Sequence, residues 1–237
     1  MRFCCNRGCA VCGRGCVLLK IGGKKMNKFT IPTKDLEALS IGMSSEETRY
    51  YLKGVNVKCV ALGYRLAATD GHLLLCNMVY ENTETHDECD VIICADFIKN
   101  ALKIAKSMKM RFIDIEISDG QSRLVDGGRA VLSGDLVEGS FPNFERLLPD
   151  DSDKEYEYKL VINGINATKL AKVSKLITSN KHQFYNPRER HGTVFTITFP
   201  DRADFVAICC GYKVDESRAA NYSRVSTILK PLESLAA

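Results

Sequence analysis

The sequence predicts an α+β fold built from one repeated unit. A short β-like run that passes into a helix occurs three times, beginning near residues 28, 90 and 158. Each helix is followed by two or three further β-like runs, separated by Gly, Asp and Pro residues that are typical of turns. Apolar residues make up 45% of the 237-residue chain and charged residues 26%, which is ordinary for a globular protein. This spacing predicts a chain assembled from similar half-units.

Each copy of the unit has its own segments. The first begins with NKFTIPTKDLEALSIGM and continues through RYYLKGVNVKCVAL, RLAATDG and HLLLCNMVY. The second begins with CDVIICADFIKNALKIAKSM and continues through RFIDIEIS, SRLVDG and RAVLSGDLV. The third begins with EYKLVINGINATKLAKVSKLI and continues through GTVFTITFP and ADFVAICCGYKV. We therefore expect strands and helices to alternate in the same order three times.

Residues 1–25 differ from the rest of the chain in composition. They contain six basic residues and no acid, so the net charge of +4 becomes −2 for residues 26–237. Contact with nucleic acid would therefore need a local basic patch. Four thiols in this segment, Cys5, Cys9, Cys12 and Cys16, allow a zinc knuckle, although only the middle pair has the usual close spacing. The alternative that we favour is a start at Met26, with the first 25 residues not translated.

The remaining cysteines are scattered, and several lie inside apolar runs such as VAICC. This pattern indicates free thiols in a reducing cytoplasm and not a disulfide framework. No stretch reaches the roughly 18 apolar residues of a membrane span. The VLLKI run near the start is too short for a secretory signal and already contains a lysine.

Two of the predicted helices carry lysines on one face. In ADFIKNALKIAKSMKMR the lysines are spaced by four, three and three residues, and NATKLAKVSKLI repeats the arrangement at the equivalent place. One such stripe is typical of a solvated face, but two in an acidic body favour attraction to a phosphate backbone. No aromatic residues alternate with the lysines, so base stacking is not indicated. The candidates for DNA contact are Lys99, Lys103, Lys106, Lys109, Lys169, Lys172 and Lys175.

Three further segments carry a resemblance to a known family. RYYLKGV, then ATDGHLL, then GDLVEGSFPNFERLLP occur in this order, after the opening FTIPTKDLEAL. Together they resemble the middle domain of the bacterial DNA sliding clamp, the β subunit of DNA polymerase III, over about residues 28–150. Beyond 150 the chain resembles only half of the clamp's C-terminal domain. The resemblance implies domains at 26–152 and 153–237, with clamp-type repeats whose strands form an outer sheet and whose helices line a basic inner face.

The resemblance also implies a function without catalysis. Clamps encircle duplex DNA and bind polymerases, clamp loaders and other partners through a short hydrophobic peptide, and no cofactor is implied. The ATDGHLL turn resembles one wall of the peptide pocket. By match, the pocket residues are Leu52, Thr69, Gly71, His72, Leu74, Pro142, Arg146 and Leu147. A pocket of this kind needs an apolar floor and a few polar groups, and these residues supply both.

The sequence departs from the clamp pattern in several places. Leu73 stands where the family usually has Arg, and the segment that closes the pocket has only Val206–Lys213 as its nearest counterpart. The first clamp domain has no match, and part of the last is missing unless residues 214–237 replace it. Three half-units do not divide into the usual dimeric ring, so we expect a homo-oligomer of undetermined size.

Three alternatives remain beside the clamp. An enzyme is disfavoured, because Asp70 and His72 flank a glycine without a nucleophile turn, and the chain has no phosphate-loop or HExxH motif. A clamp-related accessory or decoy protein would need the pocket but no ring. A generic DNA-binding module would need the lysines but no pocket, and it ranks last of the binding interpretations.

Overall fold

A computed structural model describes residues 27–60, 63–80, 89–145, 164–179, 181, 183–185 and 194–210. The first repeat contains, in chain order, β1 (Asn27–Pro32), α1 (Thr33–Ser40), a 3-10 helix (Tyr50–Leu52), β2 (Gly54–Val60), β3 (Gly63–Thr69) and β4 (Leu73–Tyr80). The second contains β5 (Asp90–Cys94), α2 (Ala95–Ser107), β6 (Phe112–Ser118), β7 (Gln121–Asp126) and β8 (Arg129–Val137). The third contains α3 (Gly164–Ile177), β9 (Gln183–Tyr185), β10 (Val194–Thr198) and β11 (Phe205–Cys210).

The described strands join into one sheet, and each pairing between them is antiparallel. Its order is β1-β6-β7-β8-β5-β2-β3-β4-β11-β10-β9. The first two repeats exchange strands, because β1 of the first pairs with β6 of the second, and β5 of the second pairs with β2 of the first. The β7–β8 hairpin turns at Gly127 and Gly128, whose φ angles of +54° and +79° suit a tight hairpin turn that favours glycine. The α+β prediction from repeated units is confirmed.

The helices are amphipathic and cover one side of the sheet. On α2, the residues Phe97, Ile98, Ala101 and Ala105 are buried at helical spacing, and α1 packs against both α2 and α3. The three helices therefore form one layer, with the shared hydrophobic core between them and the strands. None of these described helices has the length and apolar composition required to cross a membrane.

Two local predictions differ from the structure. RYYLKGV was expected to be β-like from its first residue, but Tyr50–Leu52 forms a 3-10 turn because the N–H groups of Leu52 and Lys53 bond back to Arg49 and Tyr50 at 2.9 Å. The second helix was expected to include Lys109, but α2 ends at Ser107. Lys109 lies in the following turn with φ +55°, a left-handed conformation that terminates helices.

The third repeat is joined to the first by strand pairing and by a charged network. β11 pairs with β4, and α3 packs on α1. Arg202 donates to both carboxylate oxygens of the buried Asp35 on α1, at 3.2 and 2.9 Å, and also pairs with Asp204 at 2.7 Å. Asn77 on β4 donates to the same Asp35 at 3.0 Å. The chain across the expected boundary at 152/153, and the expected strand before α3, lie outside the described residues, so the domain limits stay a prediction.

Candidate functional site

The turn between β3 and β4 is held by its own side chains. Asp70 Oδ1 accepts hydrogen bonds from the N–H groups of His72 and Leu73, at 2.9 and 2.8 Å. Thr69 Oγ1 accepts from the N–H of Gly71 at 3.0 Å, and Gly71 has φ +90°, which a glycine adopts without strain. Asp70 therefore shapes the turn, which is the structural alternative to a catalytic Asp-His pair.

Asp70 is also the point where α3 contacts this turn. Lys169 donates a hydrogen bond to Asp70 Oδ2, and the Asp70 side chain is only 17% exposed. Partial burial opposes ionisation of Asp70, but bonds from Lys169, Leu73 and His72 outweigh it, so the pKa of this carboxyl lies below its ordinary value. The carbonyl oxygen of His72 accepts from the N–H of Cys210 on β11 at 2.8 Å. The turn is thus tied to the third repeat on two sides.

A cleft of about 280 Å³ opens beside this turn. Its lining comes from the 3-10 helix, from the β3–β4 hairpin and from the chain that follows β8. The residues that line it are Arg49, Tyr51, Leu52, Thr69, Gly71, Leu74, Phe141, Pro142, Asn143 and Phe144. Five of the eight pocket residues expected from the sequence are brought together here. His72 is exposed and does not line the cleft, and Arg146 and Leu147 lie outside the described residues.

Leu74 and Phe144 of the cleft lining belong to a small apolar cluster, separate from the main core, which we call the floor cluster. It consists of Ala67, Leu74, Cys76, Phe144 and Ile208, with Phe141 and Val206 packed against it. Ile208 reaches this position because β11 pairs with β4 in the register that sets Ile208 opposite Leu74. Burial raises the pKa of the Cys76 thiol to about 11, so the floor carries no charge at neutral pH. Two residues of the expected closing segment, Val206 and Ile208, thereby contact the cluster.

The sequence reasoning missed half of the cleft lining. Arg49 and Tyr51 belong to the RYYL segment, but the 3-10 turn that aims them at the cleft was not expected. The terminal nitrogen of Arg49 lies so close to Gly71 that a Cβ there would be 2.7 Å from it. Phe141 and Phe144 meet edge to face with ring centroids 6.2 Å apart. The FPNF segment was the available signal, since two aromatics three residues apart flank the predicted Pro142.

The lysines of α2 are exposed but not all free. Lys99 pairs with Asp96 at 3.6 Å, and Lys106 reaches across to Glu37 on α1 at 2.6 Å. Lys103 is exposed, and no described residue forms an ion pair with it. Lys109 is exposed in the turn after the helix.

The lysines of α3 divide in the same way. Lys172 and Lys175 are exposed, whereas Lys169 is partly buried against Asp70. Leu170, Val173 and Ile177 are buried in the core on the other side of the helix. We call the exposed set Lys99, Lys103, Lys106, Lys172 and Lys175 the lysine face.

Within the described residues, no group of three or more His, Cys, Asp or Glu side chains has the arrangement of a metal site. The zinc knuckle that Cys5, Cys9, Cys12 and Cys16 allow lies outside the described residues.

Comparison with known proteins places this geometry in a family. The family model for the central domain of the DNA polymerase III beta subunit matches residues 26–143. The beta sliding clamp of Rickettsia bellii is 30% identical over 132 residues, which are 55% of this chain and 34% of that protein. The beta sliding clamp of Pseudomonas putida is 31% identical over 148 residues, covering 62% of this chain and 38% of the relative. The chain thus spans little more than a third of the length of the curated relatives it matches.

Solved structures show the same fold over a longer stretch. The DNA polymerase sliding clamp of Caulobacter crescentus superposes with a TM-score of 0.63 at 19% identity, covering 82% of this chain and 68% of that one. The sliding clamp of Bartonella birtlesii bound to griselimycin gives a TM-score of 0.61 at 19% identity, over 82% and 68%. Through residues 26–143, this chain belongs to the family of the DNA polymerase III beta subunit, the bacterial sliding clamp.

Proposed function

We propose that this chain is a non-enzymatic, clamp-type processivity factor of DNA replication. In this role it encircles duplex DNA as a homo-oligomer and binds a DNA polymerase or a clamp loader through a short hydrophobic peptide. The observation that carries the proposal is the cleft beside the β3–β4 turn, whose lining includes five of the residues expected from the clamp motifs.

The cleft has the chemistry that a peptide of this kind requires. Leu52, Leu74 and Phe144 offer apolar surface to anchor side chains, while Thr69 and Asn143 offer polar groups at the rim. Most of the charged groups nearby already have partners, since Asp70 is bonded to Lys169 and Arg65 to Glu145. Such a site favours an uncharged, apolar peptide segment over a charged one.

The lysine face supports the DNA part of the proposal. Exposed lysines on one helical layer attract the phosphate backbone without reading sequence, and binding then weakens steeply with salt. A ring retains DNA by enclosure, so tight contacts are unnecessary and would oppose sliding. Within the lysine face, Lys103, Lys172 and Lys175 have no ion-pair partner among the described residues, and they are the strongest candidates.

A second candidate is an accessory or decoy protein that binds clamp-directed peptides without forming a ring. The observation that favours it is the pairing of three of the seven candidate lysines with carboxylates, which reduces the basic potential. These pairs are Lys99–Asp96, Lys106–Glu37 and Lys169–Asp70. A decoy needs the cleft alone.

The first experiment combines light scattering of the full chain with retention on DNA. A closed oligomer that survives dilution and stays on circular plasmid, but is lost when the plasmid is linearised, would support the clamp. A monomer that still binds a labelled pentapeptide with leucine and phenylalanine side chains would support the accessory role. A chain that binds neither the peptide nor circular DNA would contradict both.

A further inference from the structure

One wall of the cleft is formed by chain without regular secondary structure. The residues Phe141, Pro142, Asn143 and Phe144 follow the end of β8 at Val137, and they belong to no strand or helix. Pro142 and Asn143 are exposed, whereas Phe144 is only 4% exposed. The position of the wall therefore depends on the contacts that hold the buried Phe144 side chain.

Arg65 on β3 contacts this wall in two ways. Its guanidinium carbon lies 4.6 Å from the centroid of the Phe144 ring, within the range of a cation–π contact. Its Nη1 donates to Glu145 Oε1 at 2.8 Å. The planar guanidinium thus stacks on one residue of the wall while it pairs with the next.

The position of Arg65 makes these contacts more consequential than a surface ion pair. Its side chain is only 14% exposed, and its Nε has no hydrogen-bond partner among the described residues. Lys58 lies directly opposite Arg65 on the neighbouring strand β2, so two positive charges face each other. Glu145 lies within reach of both cations, at 2.8 Å from Arg65 and 3.8 Å from Lys58.

Phe144 contacts both Arg65 and the other residues of the floor cluster. One side of the ring faces Arg65, and the residue also packs in the floor cluster with Leu74 and Ile208. We propose that Arg65 is a positioning residue of the peptide pocket, which holds the 141–145 wall against the floor through Phe144 and Glu145. This inference rests on the proposed function, because it assigns a role in the same pocket.

The test compares the affinity of four variants for the labelled leucine- and phenylalanine-containing pentapeptide. Arg65→Ala should weaken binding by about tenfold, because the stacking and the ion pair are both lost. Arg65→Lys should recover part of this loss, since it keeps the charge but not the planar group. Glu145→Gln should cost about two- to threefold. Lys58→Ala is the matched control, since Lys58 also pairs with Glu145, whereas the cation–π contact on Phe144 is made by Arg65. Its peptide affinity should stay within about twofold of wild type.

A spectroscopic measurement separates positioning from general stability. The chain contains no tryptophan, so Phe141→Trp places a single reporter in the wall. In the Arg65→Ala background, we expect its emission to shift to the red in the absence of peptide, with an unchanged thermal unfolding midpoint.

The possible outcomes separate this inference from the proposed function. If wild type binds and Arg65→Ala binds equally well, the positioning role is wrong and the pocket stands. A loss in Lys58→Ala as large as that in Arg65→Ala would also overturn it, because net charge would then be the cause. If Arg65→Ala fails to fold, unchanged binding in Glu145→Gln overturns the inference and weakened binding supports it. A wild type that binds no peptide overturns the proposed pocket and this role together.

Discussion

The cleft and the lysine face use charge in opposite ways. At the cleft, Asp70 is held by Lys169 and by two backbone N–H groups, and Arg65 is held by Phe144 and Glu145. On the helices, Lys103 is exposed and has no ion-pair partner among the described residues. Charged groups with fixed partners hold the cleft in one geometry, whereas unpaired lysines contribute only a positive electrostatic potential. A cleft of fixed geometry can select one kind of peptide, whereas a positive electrostatic potential attracts any phosphate backbone.

The largest expected effect comes from a substitution in the cleft and concerns peptide binding. Leu74→Lys places an ammonium group in the uncharged floor beside Ile208, where burial of an unpaired charge is strongly unfavourable. We expect loss of detectable peptide binding, measured by fluorescence anisotropy. We also expect a lower free energy of unfolding, because Leu74 is only 6% exposed.

A second variant guards against an unfolded Leu74→Lys protein. Pro142 is exposed, so Pro142→Ala should leave the core intact. Combined with Leu147→Ala, which the clamp motifs predict in the same pocket, it should weaken peptide binding by about tenfold or more. Retention on circular DNA should not change in this double variant. Unchanged peptide affinity would show that these residues do not form the pocket.

The next largest effect comes from substitutions in the lysine face and concerns DNA binding alone. Lys103→Glu with Lys172→Glu reverses two exposed charges, one on α2 and one on α3. If each lysine neutralises one phosphate, the negative slope of log K against log salt should become shallower by about 1.8. Peptide affinity should stay unchanged, because neither residue lines the cleft.

The control carries the charge change of Lys103→Glu alone, but at the start of β8. Arg129 is exposed there, outside the helical layer, so Arg129→Glu should lower DNA retention less than Lys103→Glu alone. Equal losses at both positions would mean that net charge, and not the helical face, attracts DNA.

The smallest expected effect concerns the β3–β4 turn and the dependence of its stability on pH. Because the pKa of Asp70 is lowered in the folded protein, its contribution to stability is present above about pH 4 and is lost as the pH falls through the folded-state pKa. Asp70→Asn keeps an oxygen that can accept the turn hydrogen bonds, but it removes the charge that pairs with Lys169. Urea unfolding of this variant should therefore depend less on pH between 5 and 3 than that of wild type. An identical pH dependence in both proteins would exclude Asp70 as a titrating group.

Local patterns were sufficient for much of the fold. The strand and helix order of the described repeats follows from alternation and helical spacing, and the buried positions Leu170, Val173 and Ile177 fall opposite the lysines as expected. The clamp motifs identified five cleft residues. These features depend on neighbours within a few residues along the chain.

Long-range contacts could not be predicted in this way. Lys169 was expected to face DNA, but it pairs with Asp70, which is 99 positions away in the chain. Arg65 and Glu145 are 80 positions apart. The pairing of β11 with β4 depends on register between repeats that no single segment specifies. Lys109 lies outside α2 for a local reason, because the backbone adopts a left-handed conformation there. That conformation is unusual for a residue other than glycine, so nothing in the sequence indicated it.

The pairing of β11 with β4 has a thermodynamic consequence. Ile208 packs on Leu74 in the floor cluster only while the third repeat is docked on the first, so we expect a ligand that contacts Leu74 to bind the docked state more tightly. Such a ligand stabilises that state by mass action, by at most about 2.7 kcal/mol when its free concentration is a hundred times Kd. Occupancy of the cleft and attachment of the third repeat are therefore linked equilibria, and each reports on the other.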